Sequence, residues 1–251
     1  MKKIFVGLFL LLSACATENP LKKMDNYRTT SSGDYTMAYW YKIKETKQPL
    51  KIYIEGDGQA FDEKGNLIDA PNPPNLLLSK LAVEDTSPNV VYLARPCLYI
   101  KGSCSADDWT TGKFSSKIID AMNDSVNYLK KKAKTDKVIL IGYSDGGMIA
   151  SQIAAKQPKS VQKLITVAGV LDKDKWTTLH NQEALKQSKN LNIKSLKKID
   201  QVHYVGQKDE SVPPDLMYDI LGKDNESVVV VKGATHTKGF DKIYKDIWQE
   251  R

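Results

Sequence analysis

Short apolar runs alternate along the chain with segments in which apolar residues recur at helical spacing. The short runs predict strands at 35–43, 50–54, 90–94, 138–141, 164–170, 202–205 and 228–231. The other segments predict helices that begin near 71, 114, 147, 213 and 238. Residues 138–141 are apolar at every position, which is typical of a strand covered on both faces. The alternation predicts an α/β fold with a mostly parallel central sheet flanked by helices.

Composition and charge narrow the class of protein. The chain has 251 residues, 41% hydrophobic and 27% charged, which excludes long disorder, collagen and coiled coil and favours one domain. A chain of this length can bury a core without a structural metal. The net charge of +7 comes from lysines that are spread out rather than clustered with aromatic residues. This predicts a solvated Lys-rich surface and no nucleic-acid partner, although basic charge also favours anionic lipid.

The first residues are typical of an export signal. A basic start at 1–3 precedes an apolar run at 4–12, which is shorter than the roughly 20 residues that a membrane-spanning helix needs, so 1–14 predicts a signal peptide. The sequence Leu12-Ser13-Ala14-Cys15 then resembles the lipobox of bacterial lipoproteins. That resemblance implies that Cys15 is diacylated and becomes the first mature residue. An ordinary cleaved signal with an incidental cysteine is the alternative.

The lipobox resemblance also implies a location and a domain organisation. Ala16, rather than Asp, follows the cysteine, which implies the periplasmic side of the outer membrane in a Gram-negative cell. The polar residues that follow predict a tether over 15–32 and a folded domain over 33–251. The bacterial membrane, reached through the lipid anchor, is therefore an expected partner.

The remaining cysteines fit an exported protein. If Cys15 carries lipid, only Cys97 and Cys104 remain, and Gly102 between them allows the chain to turn. An oxidising compartment then predicts a disulfide between them, with a pair of free thiols as the alternative. Neither cysteine has a CxxC partner or a nearby histidine, so the sequence predicts no metal site.

A nucleophile motif lies directly between a predicted strand and a predicted helix. Residues 142–146 read Gly-Tyr-Ser-Asp-Gly, which fits G-x-S-x-G. Small residues at 142 and 146 let strand and helix approach closely, and the helix N-terminus stabilises negative charge beside the serine. The motif predicts Ser144 as a nucleophile, whereas a serine that merely caps the helix is the alternative.

A nucleophilic serine needs a histidine as its base. His236 lies in a loop after the last predicted strand and before the last helix. His180 precedes any plausible acid, and His203 lies inside a strand pattern that is typical of a packed structural histidine. The chain order Ser, acid, His therefore predicts His236 as the general base.

The acid that orients the histidine is predicted just past a strand end. Residues 206–213 resemble the G-x-x-D-x-x-V-P segment of α/β-hydrolases, in which the aspartate orients the histidine. That resemblance places the role on Asp209, whose loop follows the strand directly, and Pro213 then resets the chain into a helix. Glu210 and Asp215 are the rivals.

An oxyanion hole needs two backbone N–H donors. The amide of Asp145, at the helix N-terminus, is one. The loop after an earlier strand resembles the H-G-G-G loop of esterases but carries Glu55 and Asp57, which implies a second donor at Asp57 or Gly58. A carboxylate at 57 would repel an oxyanion, so it is expected to face outward or to pair with a cation, for which Arg95 is a candidate.

The motifs over residues 50–250 together resemble the α/β-hydrolase superfamily in type, order and spacing. The chain is also similar to a group of bacterial hydrolases with GDG, RPC, WT and AGxLD segments, present here at 56–58, 95–97, 109–110 and 168–172. No substrate follows from that likeness. The resemblance implies the α/β-hydrolase fold and a serine hydrolase.

The function expected from these residues is hydrolysis of a small carboxylic ester or other acyl substrate through an acyl-enzyme, without cofactor or metal. A peptidase, amidase, thioesterase or acyltransferase would use the same residues, and a non-catalytic lipoprotein that binds an envelope partner is the alternative of another class. The polar insertion over 172–200 is expected to act as a small lid, with Trp176 and Leu179 as its apolar anchors.

Overall fold

The computed structural model of the protein describes residues 19–24 and 26–250. Its strands are β1 (Asn26–Ser32), β2 (Tyr35–Ile43), β3 (Leu50–Ile54), β4 (Asn89–Leu93), β5 (Val138–Tyr143), β6 (Val161–Val167), β7 (Gln201–Gly206) and β8 (Val228–Val231). Its α-helices are α1 (Leu77–Glu84), α2 (Ala106–Trp109), α3 (Ser116–Ala133), α4 (Asp145–Lys156), α5 (Lys173–Leu179), α6 (Pro214–Leu221) and α7 (Tyr244–Gln249). Short 3₁₀ helices span Pro20–Lys23, Ile193–Leu196 and Phe240–Ile243. No helix among these residues is long and apolar enough to cross a membrane.

The strands form one sheet in the order β1-β2-β4-β3-β5-β6-β7-β8. Strand β2 pairs antiparallel with β1 and with β4, whereas every other pair in the sheet is parallel. The predicted α/β class with a mostly parallel sheet is therefore confirmed. Because the carboxyl ends of parallel strands meet at one edge, the loops after β3, β5, β7 and β8 converge there.

Apolar layers cover both faces of the sheet. The central strands β3, β4 and β5 are buried at every position, which explains their continuous apolar runs. Helices α3 and α4 pack on one face, and α1 and α7 contribute to the apolar cluster on the other. The stripe that predicted α3, at Ile118, Met122, Val126 and Leu129, is buried as expected.

The predicted tether is shorter than the sequence suggested. Residues 26–32 are not a linker but strand β1, which pairs along its whole length with β2, from Asn26 opposite Tyr41 to Ser32 opposite Tyr35. An edge strand that faces solvent can be polar, so its composition resembles that of a linker. Leu21 is also fully buried. The predicted signal peptide and Cys15 lie outside the described residues.

Several predicted boundaries were wrong by a few residues. Helix α1 begins at Leu77 rather than near 71, because the prolines at 71, 73 and 74 disfavour helical backbone at the residues before them. Strand β6 begins at Val161, earlier than expected. The closing helix is divided into a 3₁₀ turn, Phe240–Ile243, and α7.

The segment 172–200, expected to be a small lid, is anchored to the core through residues other than those predicted. Leu185, Leu191 and Leu196 are buried against the core on the α3 and α4 face of the sheet. Trp176 packs partly against the same cluster, but Leu179 is 48% exposed and anchors nothing. The pattern of isolated leucines did not reveal these contacts because the segment has little regular structure.

The predicted disulfide joins Cys97 to Cys104. It closes a short loop directly after β4, between that strand and α2. This loop leads into the stretch that lies beside the carboxyl edge of the sheet.

We expect the double variant Cys97→Ser/Cys104→Ser to lower the free energy of unfolding by about 2.5 kcal/mol, because the cross-link restricts the unfolded chain over a loop of that length. Urea denaturation of the oxidised wild type and of the variant measures the difference. The reduced wild type is the control and should match the variant. Equal midpoints for the oxidised and reduced wild type would contradict the expectation.

Candidate active site

Ser144 lies at a tight turn between β5 and α4. Its backbone has φ 51° and ψ −123°, a conformation that residues with a side chain rarely adopt. A Cβ added at Gly142 would collide with the carbonyl oxygen of Gly146, and one at Gly146 would collide with the carbonyl oxygen of Ile54. The glycines of the motif are therefore required by the close approach of strand and helix around the serine.

A continuous hydrogen-bond chain links the three residues that the sequence predicted. Ser144 Oγ lies 3.0 Å from Nε2 of His236, and Nδ1 of His236 lies 2.9 and 3.1 Å from the two carboxylate oxygens of Asp209. Asp209 is only 3% exposed, and its Oδ1 also accepts the amides of Ser211 and Val212. These amides and the imidazole satisfy the buried carboxylate, so Nδ1 carries the proton and Nε2 is left to accept from the serine.

The rivals of these residues lie elsewhere. Glu210 and Asp215 are exposed, and the hydrogen-bond partners of the His236 ring are Asp209 and Ser144 instead. His203 is fully buried, with Nδ1 2.9 Å from Thr166 Oγ1, as expected of a structural histidine. His180 Nε2 contacts the carbonyl oxygen of Ser211 at 2.8 Å.

A second set of contacts fixes the loop that carries His236. Tyr143 donates its hydroxyl proton to the carbonyl oxygen of His236 at 3.2 Å. The side-chain amide of Asn75 donates in turn to the Tyr143 hydroxyl at 3.1 Å. Sequence reasoning missed both residues, although Tyr143 occupies the variable position before the serine.

The predicted oxyanion donors lie in the expected loops. Gly56 packs against Ser144, since a Cβ there would be 3.1 Å from Ser144 Cβ. The Gly56 amide donates to Glu55 Oε1, whereas within residues 26–250 the amides of Asp57 and Gly58 donate to no other group. The Asp145 amide is the first of α4 and has no intrahelical acceptor. The arrangement can offer N–H donors from both sides of the serine.

The Asp57 carboxylate pairs with a cation, as the sequence analysis expected. Arg95 forms an ion pair with it. Lys113 contacts the same carboxylate at 3.3 Å and also contacts the buried carboxylate of Asp145 at 2.6 Å. Sequence reasoning missed Lys113 and the role of the Asp145 side chain, because nothing in the local pattern shows that these groups meet.

Glu55 is a buried carboxyl directly beside this loop. Its Oε1 accepts from the Gly56 amide at 2.9 Å and its Oε2 accepts from the Tyr92 hydroxyl at 2.5 Å. Burial raises the pKa of Glu55 to about 7, against the opposing effect of the two hydrogen bonds. Among the described residues no cluster of three His, Cys, Asp or Glu side chains is arranged to hold a metal ion.

Comparisons with known proteins agree on the fold. A family model described as alpha/beta hydrolase fold matches residues 100–192. Est1E from Butyrivibrio proteoclasticus is 15% identical, with a TM-score of 0.61 over 89% of this chain and 94% of that one. The Pyrococcus furiosus esterase Pf2001 is 13% identical, with a TM-score of 0.62 over 92% and 91%. No curated protein sequence matches the chain.

A third solved structure is similar over a comparable length. XC6422 from Xanthomonas campestris, described as a member of a/b serine hydrolase without lid, is 15% identical, with a TM-score of 0.53 over 89% of this chain and 90% of that one. At these identities the likeness concerns the fold. The protein has the α/β-hydrolase fold, which confirms the predicted fold class.

We expect Glu55→Gln to change how stability depends on pH. The pKa of Glu55 is about 7 in the folded protein and has its ordinary value of 4.5 in the unfolded chain, so between these values only the folded state keeps the proton. The free energy of unfolding of the wild type therefore falls by roughly 3 kcal/mol, relative to Glu55→Gln, as pH rises from 4.5 to 7. Urea denaturation of both proteins across this range measures the difference.

The comparison with Glu55→Gln also cancels the effect of His203, a buried group whose pKa is shifted in this pH range. Burial lowers the pKa of His203 to about 4, which gives stability the opposite slope in both proteins. A constant difference between wild type and Glu55→Gln from pH 4.5 to 7 would show that Glu55 titrates normally.

Proposed function

We propose that the protein is a serine hydrolase that cleaves small carboxylic esters. Ser144 is the nucleophile, His236 the general base and Asp209 the residue that orients the imidazole. The observation that carries this proposal is the hydrogen-bond chain of 3.0 and 2.9 Å through these three side chains, beginning at a serine held on a strained strand-to-helix turn.

The first step forms an acyl-enzyme. The bond from Ser144 Oγ to the acyl carbon forms while Nε2 of His236 takes the serine proton, and the carbonyl oxygen becomes an oxyanion that accepts from the amides of Asp145 and of Asp57 or Gly58. The bond to the alcohol oxygen then breaks, and His236 donates its proton to that leaving oxygen. Asp209 stays ionised and stabilises the imidazolium.

The second step uses water in the same way. His236 takes a proton from water as the water oxygen attacks the acyl carbon, and the same amides hold the second oxyanion. The bond to Ser144 breaks, the serine oxygen recovers the proton from His236, and the carboxylic acid leaves. Over the two steps, water is the only co-reactant, and the products are the alcohol and the carboxylic acid.

The similar structures favour esters over the other substrates of this chemistry, and the charges beside the site favour short acyl groups. Of the similar structures, Pf2001 is named an esterase, and Est1E has been observed with ferulic acid bound. The surroundings of the oxyanion loop are charged, through Asp57 and Lys113, which favours short acyl groups over long lipid chains. Amides, peptides and thioesters remain the alternative substrates, since the same three residues serve them.

We expect the wild type to hydrolyse p-nitrophenyl esters, tested from C2 to C12, with the highest activity at short acyl chains. Ser144→Ala should lower kcat by more than about 1,000-fold, because no covalent intermediate can form. Ser151→Ala is the matched control. Ser151 is a buried serine on the same helix whose hydroxyl has no hydrogen-bond partner among the described residues, so its removal should leave kcat unchanged.

A wild type no more active than Ser144→Ala on any ester would contradict the esterase proposal. Amide and thioester substrates would then be tested in the same format. Labelling of Ser144 by a fluorophosphonate separates these enzymes from a binding protein, because a folded chain that is not labelled has no activated serine.

We also propose that the protein is anchored in a bacterial cell envelope through diacylated Cys15, on the periplasmic side of the outer membrane. The lipobox-like Leu12-Ser13-Ala14-Cys15 supports this, as does the disulfide at Cys97 and Cys104, which suits an oxidising compartment. Because β1 begins at Asn26, a linker of few residues would hold the domain close to the membrane surface.

We expect the full chain to incorporate labelled palmitate and to sediment with membranes, and Cys15→Ser to do neither. A single acyl chain binds membranes only marginally, so stable anchoring requires the multiple acylation that this cysteine would carry. Ser144→Ala, processed in parallel, should behave as the wild type. Palmitate incorporation that persists in Cys15→Ser would refute the anchor.

A further inference from the structure

Four charged side chains, of which three are buried and Asp57 is partly exposed, form a cluster behind the proposed oxyanion hole. We call the set of Asp57, Arg95, Lys113 and Asp145 the charge tetrad. Arg95 pairs with Asp57 and lies 4.0 Å from the carboxylate of Asp145. Lys113 Nζ bridges the two carboxylates, 2.6 Å from Asp145 and 3.3 Å from Asp57. The two cations and two anions balance, so the cluster as a whole carries no net charge.

The two cations of the charge tetrad are held by parts of the chain outside the oxyanion loops. Arg95 is 1% exposed, and its Nη2 donates to the carbonyl oxygens of Lys113 and Asp108 at 3.1 and 3.4 Å. Its guanidinium also lies 5.2 Å from the ring centre of Trp109. Lys113 Nζ lies 4.7 Å from the ring centre of Trp176. Because these contacts hold both cations in place, the cations orient the carboxylates that pair with them.

The two anions lie where the proposed oxyanion donors lie: Asp145 carries one donor amide, and Asp57 either carries the other or directly precedes Gly58, which carries it. Asp57 follows β3 and Asp145 opens α4, so their loops come from different parts of the chain. In each residue the side chain and the amide share one Cα, and a carboxylate held by a buried cation restricts the backbone that carries the N–H. Lys113 contacts both carboxylates and therefore couples the two loops directly.

We propose that Arg95 and Lys113 are positioning residues that fix the spacing of the two oxyanion-hole amides through the side chains of Asp57 and Asp145. The inference rests on the proposed serine hydrolase. The oxyanion exists only in the transition state and the tetrahedral intermediates, so a misplaced donor lowers kcat and leaves KM nearly unchanged. If the cluster served stability alone, substitutions in it would lower the amount of folded protein but would not lower kcat of the folded fraction at constant KM.

A second buried lysine provides the comparison. Lys51 lies on β3, near the amino ends of the parallel strands and away from the carboxyl edge where the candidate site lies. It is 3% exposed. Its Nζ lies 3.5 Å from the carboxylate of Asp85 and donates to the carbonyl oxygens of Ile247 and Trp248. Lys51→Met therefore removes a buried ammonium beside an aspartate, as Lys113→Met does, but far from the oxyanion loops.

The test compares wild type, Lys113→Met, Lys113→Arg and Lys51→Met by two measurements on the folded fraction. The first is kcat and KM for p-nitrophenyl acetate, and the second is the rate of Ser144 labelling by a fluorophosphonate, whose phosphoryl oxygen uses the same donors. Lys113→Met should lower kcat and the labelling rate by about 10- to 100-fold with KM within about twofold, because small misplacements are costly in this chemistry. Lys113→Arg should recover part of the loss, and Lys51→Met should match the wild type.

If Lys113→Met does not fold, the double variant Lys113→Met/Asp145→Asn is used, because it leaves no unpaired buried charge. The same slow labelling is expected, since the link between the two loops is lost. Labelling and kcat at the wild-type level in either variant would overturn the inference while the proposed function stands. A wild type that a fluorophosphonate does not label overturns both.

Discussion

The structure around the site depends on how closely the backbone of α4 approaches the strands of the sheet. Gly142, Gly146 and Gly56 have no side chains, and that absence lets the helix begin directly behind Ser144. The serine then takes a strained backbone conformation, which costs about 1–3 kcal/mol and persists only because the packing around it leaves no alternative. Strand β5, buried at every position, supplies that packing. The turn presents the hydroxyl at the edge of the sheet where the other loops meet.

Parallel strands explain why the remaining groups arrive at the same place. His236 follows β8, Asp209 follows β7 and the oxyanion loop follows β3, and these three strands share the carboxyl edge with β5. The sheet is held by apolar layers on both faces, so its edge can carry polar groups without loss of the core. The side chains proposed to react lie at this edge, and the charge tetrad lies behind them.

Burial at this edge makes charges depend on one another. A charged group removed from water is stable only when an opposite charge or several hydrogen bonds compensate it, and the charge tetrad and Asp209 both meet this condition. Glu55 meets it differently, because its neighbours are a hydroxyl and an amide and burial keeps the carboxyl protonated to higher pH. The same edge therefore holds carboxylates paired with cations and a carboxyl whose pKa is raised by burial, and Asp57 and Glu55 are only two residues apart in sequence.

The sequence by itself determined the features that leave a local signal. A strand buried on both faces is apolar throughout, and a nucleophile turn needs small residues at fixed spacing. Position in the chain identifies His236, rather than His180 or His203, as the candidate general base. Only the tertiary structure decided that polar residues 26–32 form β1, that Lys113 reaches both Asp57 and Asp145, and that Tyr92 meets Glu55. These contacts join groups far apart in the chain. Such a contact cannot be predicted from the periodicity or composition of the sequence, because it forms only when separate elements pack together.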